Sequence, residues 1–138
     1  KMKTQFDNAH NTTVLTMEDV VVPTCNLIGE EGAAFMYILV NFNHERFVIA
    51  SSTAAMCREC YSESITEAVN RRTFGKALVD HQVIRAKLAE MVRQIESLHD
   101  TLERVAFLFS SGIADRDLGG QCALLKVQAS YTFEFCAR

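Results

Sequence analysis

Residues 84–109, IRAKLAEMVRQIESLHDTLERVAFLF, decide the fold. Ile84, Leu88, Met91, Ile95, Leu98, Leu102, Val105 and Phe109 follow one another in alternating steps of four and three, the spacing that lays one apolar stripe along a helix. The opposite face carries Arg85, Glu90, Arg93, Glu96, Asp100, Glu103 and Arg104, a solvated face on which Asp100 and Arg104 stand at i,i+4. So continuous a seam needs other helices to cover it. Gly112 ends the helix, and DRDLGG at 115–120 reads as a loop.

Outward from this helix, the pattern repeats on both sides. Residues 120–138 return to helical spacing through Leu124, Val127, Tyr131 and Phe135. Upstream, Phe35, Ile38, Leu39 and Phe42 give a short apolar face, Asn43 can cap a new turn, and the helix that follows runs to about Arg72. Its inward positions are Ala50, Ala54, Cys57, Tyr61, Ile65 and Ala68, small enough at first for a neighbouring helix to approach closely. Before it, NLIGEEG at 26–32 supplies a turn, with Glu30 and Glu31 where acidic residues favour a helix start. Residues 12–23, TTVLTMEDVVVP, are rich in valine and threonine and read as a strand ended by Pro23.

The fold class is therefore mainly α: an up-and-down helical bundle over 31–138, with helices at 46–72, 83–111 and 120–138, preceded at 1–30 by a β-domain remnant and linker. The strand has no partner strand, and the last helix reaches Arg138 without a closing turn. The expectation is a piece of a larger protein, incomplete at its C-terminus.

Composition narrows the function. A chain of 138 residues, 49% hydrophobic with one proline, can bury a real core. Its net charge of −3 gives no basic field for a nucleic-acid backbone, and no apolar run is long enough to span a membrane. Cys25, Cys57, Cys60, Cys122 and Cys136 are odd in number among apolar neighbours, which suits reduced thiols. Cys57 and Cys60 form a CxxC without a second pair or nearby histidines, so packing is the reading and no metal site is expected. Asn11–Thr13 forms a glycosylation sequon, a short pattern common by chance.

One connection carries more chemistry than a linker needs. In RRTFGKALVDHQ, residues 71–82, Gly75 breaks one helix and Asp80 can cap the next, leaving Arg71, Arg72, Thr73 and Lys76 around the bend. Arginine offers a bidentate fork, threonine a hydroxyl, and Phe74 a ring to lie against another ring. His81 and Gln82 stand at the start of the following helix, where free N–H groups favour an anion. A phosphate could sit there. On spacing alone, a solvated cationic helix end accounts for the same residues.

The whole sequence resembles the carboxyl-terminal half of the acyl-CoA dehydrogenases. EDVVVP followed by NLIGEEGAAF is similar to that family's exit from its central β domain, NHERFVIA to the start of its long helix, and RRTFGKALVDHQVIRAKLAEM to its most recognisable segment. The resemblance implies FAD as cofactor, contacted by Arg71, Thr73, Phe74, His81 and Gln82, with the flavin nucleotide held mainly by a neighbouring subunit. It implies that Asn43, His44, Glu45 and Arg46 line an acyl-CoA site. In some branches a glutamate at the Glu45 position is the catalytic base; in others the base lies on a later segment. Read from its own surroundings, Glu45 is an acidic residue in the first turn of a helix.

The activity implied is α,β-dehydrogenation of acyl-CoA thioesters to trans-2-enoyl-CoA in fatty-acid or branched-chain amino-acid breakdown. The partners implied are an electron-transfer flavoprotein and further copies of the chain, as a dimer of dimers. The location implied is the mitochondrial matrix in a eukaryote and the cytoplasm in a bacterium. An acyl-CoA oxidase relative and an inactive helical interaction module remain as alternatives.

Overall fold

The computed structural model describes residues 13–138. It divides into two units, Lys1–Ala33 and Ala34–Arg138. Residues 13–33 hold one short 3-10 turn, Thr24–Asn26, and no strand among the described residues. The strand expected over 12–23 is therefore absent from 13–23, and Thr12 lies outside the described residues. Valine and threonine make a segment fit for a sheet, but a ladder needs a second strand to bond to, and residues 13–33 hold none. Of the sequon, only Thr13 is described.

The second unit is an up-and-down helical bundle: α1 (Ala34–Asn70), a hairpin of β1 (Arg72–Thr73) and β2 (Lys76–Ala77), then α2 (Gln82–Ser110) and α3 (Gly119–Ala137). Helix α1 is one continuous element of 37 residues. Asn43 does not start a new helix: its amide is bonded elsewhere, and nothing in 39–46 breaks the backbone pattern. At 1.5 Å per residue α1 is roughly 55 Å long.

Helix α2 carries the seam read from the sequence. Leu88, Met91, Ile95, Leu98 and Val105 are buried, and Ile84, Leu102 and Phe109 pack half-buried against the same core. Leu102, although on the seam, is only partly covered. Asp100 and Arg104 do not pair. On this helix Glu90 pairs with Arg93, and His99 Nε2 lies 3.2 Å from Glu103. Gly112, at φ +76°, takes the left-handed position just beyond the end of α2, which a side chain would strain.

Helix α3 turns the other way round from its expected stripe. Cys122, Leu125, Ala129, Thr132 and Cys136 face inward, whereas Leu124, Val127, Tyr131 and Phe135 are 68%, 50%, 69% and 40% exposed. The helix is apolar on nearly every side, so hydrophobic spacing alone does not select a face. Small residues decide it: Cys122, Ala129 and Cys136 join Ala50, Ala54 and Cys57 of α1 in one cluster, where small side chains let two helices approach closely. Asn43 meets Asp115 just ahead of α3, and Cys57 meets Cys136 near its end, so α1 and α3 run parallel with α2 antiparallel to both.

All five cysteines are free thiols. Burial, with Cys136 and Cys60 as neighbours, pushes the Cys57 thiol up to about 12, and burial also raises Cys122 and Cys136. Buried thiols with raised pKa values are packing groups and are inert at neutral pH.

Candidate functional site

The connection between α1 and α2 is a two-residue β-hairpin. Arg72 pairs with Ala77 and Thr73 with Lys76, leaving Phe74 and Gly75 as the loop. Both loop residues have positive φ, +50° and +82°, as a primed hairpin turn demands. Glycine reaches that region freely. A phenylalanine there is uncommon and costs about 1–3 kcal/mol of backbone strain. The residue is 97% exposed, so beyond the edge of the His81 ring little packing within the chain offsets that cost. The hairpin is held from below by Leu78 N–H to Arg71 C=O at 2.7 Å.

The remaining polar groups divide by direction. Arg72 donates to the Gly75 carbonyl at 3.1 Å and so braces the turn it flanks. Lys76 reaches the Asp80 carbonyl at 3.4 Å. Arg71, exposed at the end of α1, makes only a long contact with Glu67, 3.8 Å, of the weak surface kind. Asp80 does not cap α2. The cap position is His81, whose side chain makes no capping bond; Asp80 ends a separate 3-10 turn, Leu78–Asp80. Ile84 and Arg85 make the first bonds of α2, both to the His81 carbonyl. The N–H groups of Gln82 and Val83 precede that first bond and belong to the helix end that attracts anions.

Thr73, Phe74, His81 and Gln82 line one open groove of about 400 Å³, completed by Lys76, Leu78, Val83 and Ile84. Arg71 stands beside this groove and does not line it. The donor set suits the expected FAD: a guanidinium fork and helix-start N–H groups for a pyrophosphate, a hydroxyl for a single hydrogen bond, and a bare ring for a flat partner.

The second set, Asn43–Arg46, lies roughly three turns into α1, so the helix dipole does nothing for Glu45 there. Asn43 is 3% exposed and fully engaged: its Nδ2 donates to the Asp115 carbonyl at 2.7 Å, and its Oδ1 accepts from Arg46 at 3.2 Å. Arg46 also lies over the Phe42 ring at 5.9 Å. His44 Nε2 is 2.9 Å from Asp115 Oδ2, and its ring stacks on Phe109 at 5.0 Å. Glu45 alone of the four points away from these bonds. It is exposed, and at helical spacing it shares its side of α1 with the exposed Ile38, Phe42, Ile49 and Met56.

Asp115 and Phe109 hold this segment, and sequence reading had no signal for either as a partner. Asp115 sat in what looked like a plain loop, and Phe109 was counted only as a seam residue. Contacts across some 70 residues leave no local trace.

Comparison with known proteins adds context to this geometry. Residues 32–138 match the family model described as acyl-CoA dehydrogenase, C-terminal domain. The acyl-CoA dehydrogenase AFT10-1 of Alternaria alternata is 37% identical over 92% of this chain and 31% of its own length. The acyl-CoA dehydrogenase apdG of Emericella nidulans is 32% identical over 100% of this chain and 32% of its own. Among solved structures, butyryl-CoA dehydrogenase from Megasphaera elsdenii superposes with a TM-score of 0.74 at 28% identity, covering 83% of this chain and 29% of that one. The chain spans about a third of the length of the curated relatives it matches.

Proposed function

The chain belongs to the acyl-CoA dehydrogenase family, and on that premise we propose that it supplies two half-sites of an FAD-dependent enzyme that converts acyl-CoA thioesters to trans-2-enoyl-CoA. The observation that carries this reading is the distance along α1. About 28 residues separate Asn43–Arg46 from Arg71, close to 40 Å of helix. One flavin nucleotide cannot touch both. A chain that offers an acyl-facing carboxylate in the first half of a long helix and a pyrophosphate-type donor set just past its far end makes sense when each copy reaches into its neighbour. Each hairpin then reaches the flavin whose reacting ring lies by the Glu45 segment of a neighbouring copy, in a homo-oligomer built as a dimer of dimers.

At the hairpin, Arg71 would hold the pyrophosphate, Thr73 would donate its hydroxyl hydrogen, and Phe74 would lie against a ring. The backbone strain at Phe74 fits this role, because residues held in such conformations concentrate where a ligand is gripped. At the other end, Glu45 takes the α-proton of the thioester as general base. Its carboxylate sits within an exposed apolar stripe, and covering that stripe with substrate and cofactor would exclude water from the proton transfer. Bound FAD supplies the acceptor for the hydride that leaves the β-carbon. Arg46, tied to Asn43, fixes a positive charge one residue beyond the base. An electron-transfer flavoprotein would carry the electrons onward, in the mitochondrial matrix of a eukaryote or the cytoplasm of a bacterium.

The arginine pair tests the hairpin assignment. In the whole protein, Arg71→Ala is expected to lower FAD content after purification well below that of Arg72→Ala, because Arg72 is committed to the Gly75 carbonyl and Arg71 is not. Both variants lose the same charge. Equal FAD content in the two would contradict the assignment.

A further inference from the structure

The His81 imidazole does not cap its own helix; it is spent on the hairpin eight residues earlier. Nε2 lies 3.1 Å from Thr73 Oγ1 and 3.3 Å from the Thr73 carbonyl oxygen, and the ring meets Phe74 edge-to-face at 6.2 Å and 72°. One ring nitrogen thus faces two oxygens of one residue. If Nε2 carries no hydrogen, the Thr73 hydroxyl must donate to it, and the nitrogen lone pair is set against the carbonyl lone pairs. If Nε2 carries the hydrogen, it donates into the space between the two oxygens, and the Thr73 hydroxyl hydrogen is left over. The second arrangement satisfies both contacts and the first satisfies only one.

We infer that His81 is a positioning residue, held with its proton on Nε2, that frees the Thr73 hydroxyl to act as an outward donor and steadies the strained Phe74 turn. The inference rests on the reading of the hairpin as an FAD site. His81 then acts on FAD through Thr73 and does not itself need to touch it. It also explains why a histidine stands at a cap position without capping. Loss of the Nε2–H turns the threonine hydroxyl inward, and the cofactor loses a donor although threonine is still present.

A double-mutant cycle on FAD dissociation from the whole protein tests this. Thr73→Val and His81→Phe, the latter keeping a ring without an N–H, are each expected to weaken FAD binding roughly five- to tenfold, the worth of one hydrogen bond. The double variant is expected to be no weaker than the worse single one, because both remove the same bond. His81→Gln, whose amide can still donate to Thr73, is expected to recover most of the affinity, which a general loss of packing would not allow. Fully additive losses, or no recovery by glutamine, would overturn the inference. Long-range proton–nitrogen NMR of histidine-labelled protein gives a readout independent of FAD and of any folding defect: the Nε2–H tautomer supports the inference and the Nδ1–H tautomer overturns it. If Arg71→Ala weakens FAD and Thr73→Val does not, the hairpin site stands and this inference falls. If neither variant affects FAD, both fall.

Discussion

Roughly three turns into α1, the Asn43–Arg46 segment spends most of its polar groups inside the chain; beyond the far end of the helix, the Arg71–Gln82 connection turns several of its groups outward. Asn43 is buried with both ends of its amide bonded, and His44 is tied to Asp115, so of the four residues only Glu45 is exposed and outside these bonds. The hairpin keeps Arg72 and His81 for its own construction and leaves Arg71, Phe74 and Gln82 exposed. Neighbouring residues of similar polarity therefore do different work. A segment that matches a binding motif still divides into groups that hold the fold and groups available to a ligand, and the hydrogen-bond pattern separates them.

Substitutions within the first segment sharpen that division. Glu45→Gln keeps shape and removes the proton acceptor, and as general base its loss is expected to cut flavin reduction about 10²–10⁴-fold or more while FAD and acyl-CoA still bind. Near-normal reduction, measured by rapid mixing, would place the base on another segment. Asn43→Ala is expected to act on stability instead. It strips partners from the Asp115 carbonyl and the Arg46 guanidinium and should cost about 1–3 kcal/mol in chemical denaturation. An unchanged midpoint would mean that the amide bridge contributes nothing.

The smallest effect concerns the core between α1 and α3. The Cys57 thiol, near 9 when free, is raised to about 12 in the folded chain. Between those values the unfolded chain has released a proton that the folded one retains, so stability is fully present below pH 9 and falls as pH rises toward 12. Denaturation midpoints measured across that window should decline less steeply in Cys57→Ala than in the unaltered protein. Identical slopes would assign the alkaline loss to other groups.

How much of this was legible in the sequence follows from where the information lies. The α2 seam could be read because its opposite face is charged, so the apolar stripe had one direction to point. In α3 apolar residues surround the axis, and the choice of face was made by close packing of Cys122, Ala129 and Cys136 against small residues of α1, which spacing does not encode. The continuity of α1 through Asn43 was missed because asparagine is a good cap in isolation; a bond to Asp115, 72 residues away, overrode that preference. The chemistry of 71–82 was visible as composition, but its hairpin form was not. Phe-Gly is an unusual primed turn, and the strained phenylalanine that marks the groove is also what hid it.

The most direct test of the account is anaerobic addition of acyl-CoA thioesters to the whole protein loaded with FAD, following the visible absorbance of the oxidised flavin and the enoyl-CoA formed. The account predicts bleaching by at least one chain length, with one enoyl-CoA produced per flavin reduced. Tightly bound FAD that stays oxidised with every saturated acyl-CoA tested, short, long or branched, would contradict it.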